Sequence, residues 1–156
     1  MDKTENRLKY ENYREQFKRL NNALHNGFNL EAMFIEYAIM EDRTESILRH
    51  TGKWDVYMKS RKGREPNIDS KIRYIQKIAE EKKTLPNKYF SDTLLNDILQ
   101  WKEDRNRLIH ALLKQQLEHG EVGELAAKGK QLADALRTRA GSYNRSADRQ
   151  KAKETL

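Results

Sequence analysis

The sequence predicts an all-α protein, an antiparallel helical bundle of four core helices plus a C-terminal fifth helix. Three observations carry that reading. Leu, Glu, Lys, Arg and Ala dominate the composition and the strongest strand formers are sparse. Gly and Pro number only 7 and 2. Apolar residues recur at i, i+3, i+4 and i+7 over long stretches, and no strand-period segment competes with them.

The first helix is expected over about residues 5–24, with Leu8, Tyr13, Phe17, Leu20 and Leu24 toward the core. "HNGFN" ends it, because Gly27 suits a left-handed cap and Asn29 can cap the next helix. The second, about 30–50, presents Leu30, Met33, Phe34, Tyr37, Ala38, Ile47 and Leu48, and Gly52 follows it. Trp54, Val56 and Tyr57 suit a short turn, and "KSRKGREPN" with Gly63 and Pro66 reads as a loop. The third helix, about 68–83, buries Ile68, Ile72, Ile75 and Ile78, and "TLPNKYF" reads as a second loop. Ser91 or Asp92 caps the fourth, which runs to about Leu117. Gly120 and Gly123 set off a fifth helix, about 124–139, which is Ala-rich and weakened by Gly129 in its interior. Residues 1–140 thus form a single domain, and the polar tail 141–156 is expected to fray.

The 156 residues suit one core. With 37% hydrophobic and 35% charged residues, that core is lean and the surface heavily charged. Without cysteine there is neither a disulfide nor a thiolate metal site. No apolar run approaches the ~18 residues of a membrane span. The polar start "MDKTENRLKYEN" does not read as a signal peptide, so a cytoplasmic protein is expected. The four histidines show no metal-ligand spacing, and no phosphate-binding glycine loop is present, so neither a metal nor a cofactor is expected. Net charge is +7, and between residues 49 and 65 Arg49, Lys53, Lys59, Arg61, Lys62 and Arg64 oppose only Asp55 and Glu65. Such a segment attracts polyanions, RNA among them.

The fourth helix carries an anomaly in "WKEDRNRLIHALL". Arg105 interrupts the stripe Leu94, Ile98, Trp101, Leu108, Leu112. The second helix repeats it with Glu41 and Thr44 midway along its own stripe. A buried guanidinium needs a partner, so a Glu41–Arg105 ion pair inside the bundle is one expectation. Asn106 and His110 lie about 40° apart around a regular helix, whereas Arg105 and His110 lie about 140° apart. A cation, an amide and an imidazole that moves protons near neutral pH can together attack a phosphodiester.

Arg105-Asn106-x-x-x-His110, late in a small α-bundle, resembles the signature of HEPN domains (higher eukaryotes and prokaryotes nucleotide-binding). The looser Arg-to-His spacing also fits Arg19 with His25 and Arg43 with His50. Only the third match has Asn directly after Arg and lies amid a core stripe. The resemblance implies a metal-independent endoribonuclease acting on single-stranded or loop RNA, a toxin or phage-defence effector. It implies Arg105, Asn106 and His110 as catalytic residues, and a homodimer whose two motifs form one composite active site. His110 would act as base or acid at the 2′-hydroxyl, Arg105 would bind and stabilise the scissile phosphate, and Asn106 would orient that phosphate or the ribose. Glu41 is the candidate for holding Arg105, and Lys53, Lys59, Arg61, Lys62 and Arg64 for binding RNA. An antitoxin protein is a further implied partner. In toxins paired with minimal nucleotidyltransferases the pattern continues His-x-Tyr. Here Ala111 and Leu112 follow His110, so the tyrosine such a partner would modify is missing. The alternative is a non-catalytic helical module of the same fold that binds nucleotide, RNA or protein.

Overall fold

The computed structural model describes residues 2–156, and among them every regular element is a helix. The helices are α1 (Lys3–His25), α2 (Asn29–His50), α3 (Trp54–Ser60), α4 (Ile68–Ala79), α5 (Leu85–Phe90), α6 (Leu94–Ala111) and α7 (His119–Glu154). The all-α bundle expected from the composition is the fold of the chain. None of these helices is long and apolar enough to cross a membrane.

Gly27 ends α1 as its position suggests. With φ at +73° it lets Phe28 N–H reach the Ala23 carbonyl at 2.8 Å, closing a left-handed cap. The chain reverses, and α1 lies antiparallel on α2, joined by Lys9–Asp42 at one end and Arg19–Glu31 at the other. Leu20 and Ala23 anchor α1 in the core, whereas Leu8 is exposed.

Elements between α2 and α6 are shorter and more numerous than expected. Trp54–Ser60 forms a helix whose Tyr57 is buried, its hydroxyl 2.6 Å from Ser70 Oγ and its ring against Trp54 and Tyr74. Asn67 caps α4 by accepting the Ser70 N–H at 2.9 Å. That helix stops at Ala79 rather than continuing to 83, where Asn87 Nδ2 takes the freed Ala79 carbonyl at 2.7 Å. "TLPNKYF" is helical because Thr84 caps the Asn87 N–H and Pro86 sits in the first turn, where its missing donor is harmless.

The largest departure is α7, a single helix of 36 residues. It begins before Gly120 and Gly123, and it continues through 141–156 as far as Glu154 instead of fraying after 140. Ala126, Gly129, Ala133, Leu136, Ala140, Tyr143 and Ala147 follow one another at three- and four-residue steps, an unbroken helical face. The side chains of that face, Gly129 apart, are all buried. Its small residues let α2 approach closely along most of its length, and this is the most extensive helix contact in the molecule. The two helices run parallel: Asn29 lies by Gly123, Glu36 by Gly129, Ser46 by Asn144 and His50 by Asp148. α6 returns antiparallel on α7, with Trp101 Nε1 donating to the Leu125 carbonyl at 2.9 Å. Met33, Met40, Ile47, Leu95, Ile98, Trp101 and Leu136 fill the space between them.

Candidate functional site

The α6 helix stays regular through Ala111, so the azimuths expected for Arg105, Asn106 and His110 hold. Arg105 is half-buried, with its guanidinium carbon 4.8 Å from the centre of the Tyr37 ring. Its Nη1 donates to Asn106 Oδ1 at 3.2 Å, while Nε is buried without an acceptor. Burial lowers the guanidinium pKa, against the opposing pull of Tyr37 and Glu36. The Tyr37 hydroxyl is raised, mainly by its own burial. His110 stands exposed on the other side of Asn106. The structure therefore brings Arg105 and Asn106 together and leaves His110 facing outward. Within one chain the imidazole and the guanidinium do not converge.

The expected Glu41–Arg105 pair does not form. α4 packs on α2 at that level and brings Lys71, which is 2% exposed, within 3.5 Å of Glu41 Oε1. Lys71 Nζ also donates to the Glu41 carbonyl at 3.2 Å, and Thr44 Oγ1 donates to the same carbonyl. The interrupted stripe of α2 is thus satisfied by lysine, not by arginine.

A different carboxylate stands close to Arg105. Glu36 is fully buried, and neither of its oxygens has a hydrogen-bond partner. Burial pushes its pKa up to about 8, against the pull of Lys130 and Arg105 and with a contribution from Asp134. It packs so tightly on α7 that a Cβ at Gly129 would come 2.0 Å from its Oε2 and 2.6 Å from Trp101 Cζ2. Sequence reasoning passed over Glu36, yet a signal exists. It occupies the i+3 place between Met33 and Met40 on the core stripe of α2, and its neighbour across the seam is a glycine in mid-helix.

The basic residues of 49–65 lie elsewhere. α3 follows the C-terminal end of α2, whereas His110 belongs to the end of the bundle where α2 and α7 begin. Arg61 Nη2 donates to the Glu65 carbonyl and Arg64 Nε to the Arg61 carbonyl, so both guanidiniums fold back on their own loop. Among the described residues Lys53, Lys59 and Lys62 make no ion pair.

Beside the charged groups that surround Tyr37 and Arg105 (Glu41, Lys102 and Asp69), exposed apolar side chains also occur on α2 and at the end of α6. On α2, Leu30 and Phe34 are expected in the core but are 45% and 69% exposed. They share a helix face with Tyr37 at i, i+4 and i+7. On α6 Ile109 shares the Arg105 face, and it is exposed, as are Leu112 at the C-cap and Leu113 in the turn beyond. The Arg105–Tyr37 contact joins these two stripes. Among the described residues, no cluster of three or more His, Asp or Glu side chains gathers in a form that could hold a metal ion.

Comparison of the chain with protein-family models, with curated proteins and with solved structures finds no match. The HEPN resemblance rests on residues 105–110 and on their setting in a helical bundle.

Proposed function

We propose that the protein is a metal-independent endoribonuclease of HEPN type that works as a homodimer on single-stranded or loop RNA. The observation that carries this reading is the pair of exposed apolar stripes that meet at Arg105 and Tyr37, with Asn106 and His110 at their edge. Exposed apolar patches of this kind mark contact surfaces. A two-fold contact repeats every interaction, and the proposed dimer is the one in which each His110 meets the other chain's Arg105. That supplies the convergence a single α6 lacks.

In the composite site one His110 removes the 2′-hydroxyl proton as the oxygen attacks phosphorus. The other protonates the departing 5′-oxygen as the P–O5′ bond breaks. Arg105 neutralises the charge that builds on the phosphoryl oxygens, and Asn106, already bonded to Arg105, orients it. The products are a 2′,3′-cyclic phosphate and a 5′-hydroxyl. The test is incubation of the pure protein with single-stranded RNA in excess EDTA, followed by analysis of product ends. Cleavage to cyclic phosphate ends is expected. Activity that vanishes in EDTA and returns with magnesium contradicts the mechanism.

One observation favours the second reading, a non-catalytic RNA- or protein-binding module. Lys53, Lys59 and Lys62, without an ion pair among the described residues, sit toward the opposite end of α2 from His110, so polyanion binding there needs no motif residue. On that reading RNA binds and stays intact.

A further inference from the structure

Among the described residues, the buried side-chain donors without a partner are Arg61 Nε and Arg105 Nε. The buried acceptors without one are the two oxygens of Glu36 and Asn144 Oδ1. Asn144 lies beside Ser46 and Arg61 lies beyond the end of α2, so the two are remote from the motif. Glu36 and Arg105 remain: Arg105 reaches α2 over the ring of Tyr37, the residue next to Glu36, and each acts on the other's charge. An unpaired buried polar group costs about 1–3 kcal/mol, and here a donor and its natural acceptor both stand unmatched.

We propose that Glu36 is a positioning residue for Arg105. Its carboxylate takes the buried Nε edge of the guanidinium when the site is engaged, leaving the outer nitrogens to an RNA phosphate. The role deepens the nuclease reading and rests on it for its purpose, though the pairing itself is a property of the chain. Arginine's planar fork suits this division, because a carboxylate can hold one edge while the rest stays free for a second anion. The Tyr37-stacked pose is then the resting one, with Nη1 on Asn106.

Gly129 shows that the carboxylate's place is specified. A glycine in a helix interior costs about 1 kcal/mol relative to alanine, yet α7 carries one where any side chain would strike Glu36. The charged groups that act on Glu36 are Lys130 and Asp134 from α7 and Arg105 from α6. Lys130 exerts the larger pull on Glu36 but is held by Asp134, whereas Arg105 makes no ion pair among the described residues. In the resting pose Glu36 keeps its proton near neutral pH, and that proton goes to solvent as the ion pair forms.

The test is an NMR titration of the full chain, following the Arg105 Nε–H signal and the Glu36 carboxyl carbon together. Both are expected to move with one midpoint, near pH 8 in the free protein. In Glu36→Gln the Arg105 signal is expected to stay fixed, and in Glu36→Asp to move again. An Arg105 Nε signal that ignores the Glu36 titration in the wild-type chain overturns the proposal, whether or not the variants fold. Joint titration in a protein that cuts no RNA leaves the pairing standing and removes the nuclease. In an active protein, Glu36→Gln is expected to cut RNA at least 10-fold more slowly and to lose the rise in rate that accompanies Glu36 ionisation. An unchanged rate and pH profile in that variant overturns the positioning role.

Discussion

Two sets of buried and half-buried ionisable groups are built around α2, at positions less than two turns apart, and they are alike in their parts but finished differently. Around Asp42 and Arg43, the Arg43 guanidinium lies 4.7 Å over the Tyr13 ring. Around Glu36 and Arg105, the guanidinium lies 4.8 Å over Tyr37. In the first set every group is answered. Arg43 Nε donates to the Tyr13 hydroxyl at 2.9 Å, Tyr13 donates to Asp42, and Lys9 closes the cluster at 3.1 Å. Burial together with the Asp42 hydrogen bond holds the Tyr13 hydroxyl protonated well beyond the usual phenol range. In the second set the carboxylate and the Nε edge are both unanswered. A closed cluster ties α1 to α2. The open one leaves a carboxyl group and the Nε edge of a guanidinium without partners among the described residues.

The sharpest way to test that contrast is to remove each arginine. Arg105→Ala is expected to slow RNA cleavage by at least about 100-fold, the scale of lost transition-state charge stabilisation. It should leave chemical denaturation nearly unchanged, since no carboxylate depends on it in the resting pose. Arg43→Ala should do the reverse, lowering stability by about 1–3 kcal/mol with little effect on cleavage per folded molecule. Equal stability losses would erase the distinction between the two sets.

Gly129→Ala comes next. Its methyl group would overlap Glu36 and Trp101, both fully buried, so overpacking is expected to lower stability by about 1–3 kcal/mol in a urea melt. A neutral substitution would mean that α2 and α7 are farther apart than the seam requires.

Glu36→Gln carries a pH signature of similar size. The folded chain holds the Glu36 proton up to about 8, whereas the unfolded chain releases it above about 4.5. Wild-type stability from this group therefore falls as pH rises across that window and levels off above it. The glutamine variant lacks the loss. Its stability relative to wild type should grow between pH 5 and pH 8, by an amount on the order of a few kcal/mol. Parallel pH profiles would show Glu36 to be ionised in the fold.

The smallest effect is expected at the far end of the bundle. Neutralising Lys53 and Lys59 to Gln should weaken RNA binding a few-fold and flatten its salt dependence, with no change in the cleavage step. A complete loss of cleavage would move the site away from α6.

α1 and α2 were legible because they show strong apolar periodicity and sharp glycine ends at Gly27 and Gly52, whereas α6, expected to run to about Leu117, stops at Ala111. The extent of α7 was not legible. Gly120 and Gly123 look like breaks, and "GSYNRSADRQ" is polar in composition although Tyr143 and Ala147 extend the buried face of Ala133, Leu136 and Ala140. Composition outweighed spacing there, and the spacing was right. "TLPNKYF" hid a single helical turn behind a proline that belongs at a helix start. For the proposed site, the sequence supplies the spacing of Arg105, Asn106 and His110 but not what Arg105 touches. The expectation favoured Glu41 because it interrupts an apolar stripe, yet which stripe faces α4 and which faces α7 is decided by tertiary packing. Glu36 sits on the α7 face and Glu41 on the α4 face, where Lys71 waits. Leu30 and Phe34 were read as core for the same reason: periodicity shows that a face is apolar, not what covers it.

The central claim is that the open Arg105 set belongs to a catalytic site rather than a binding surface, and His110→Ala separates the two most directly. The variant and the wild-type protein are to be compared on one single-stranded RNA, with affinity measured by fluorescence anisotropy and cleavage by product length, both in EDTA. The account predicts affinity within about 3-fold of wild type, because one imidazole adds little to binding a polyanion, and cleavage reduced at least about 100-fold. Cleavage by His110→Ala equal to that of the wild type would contradict it.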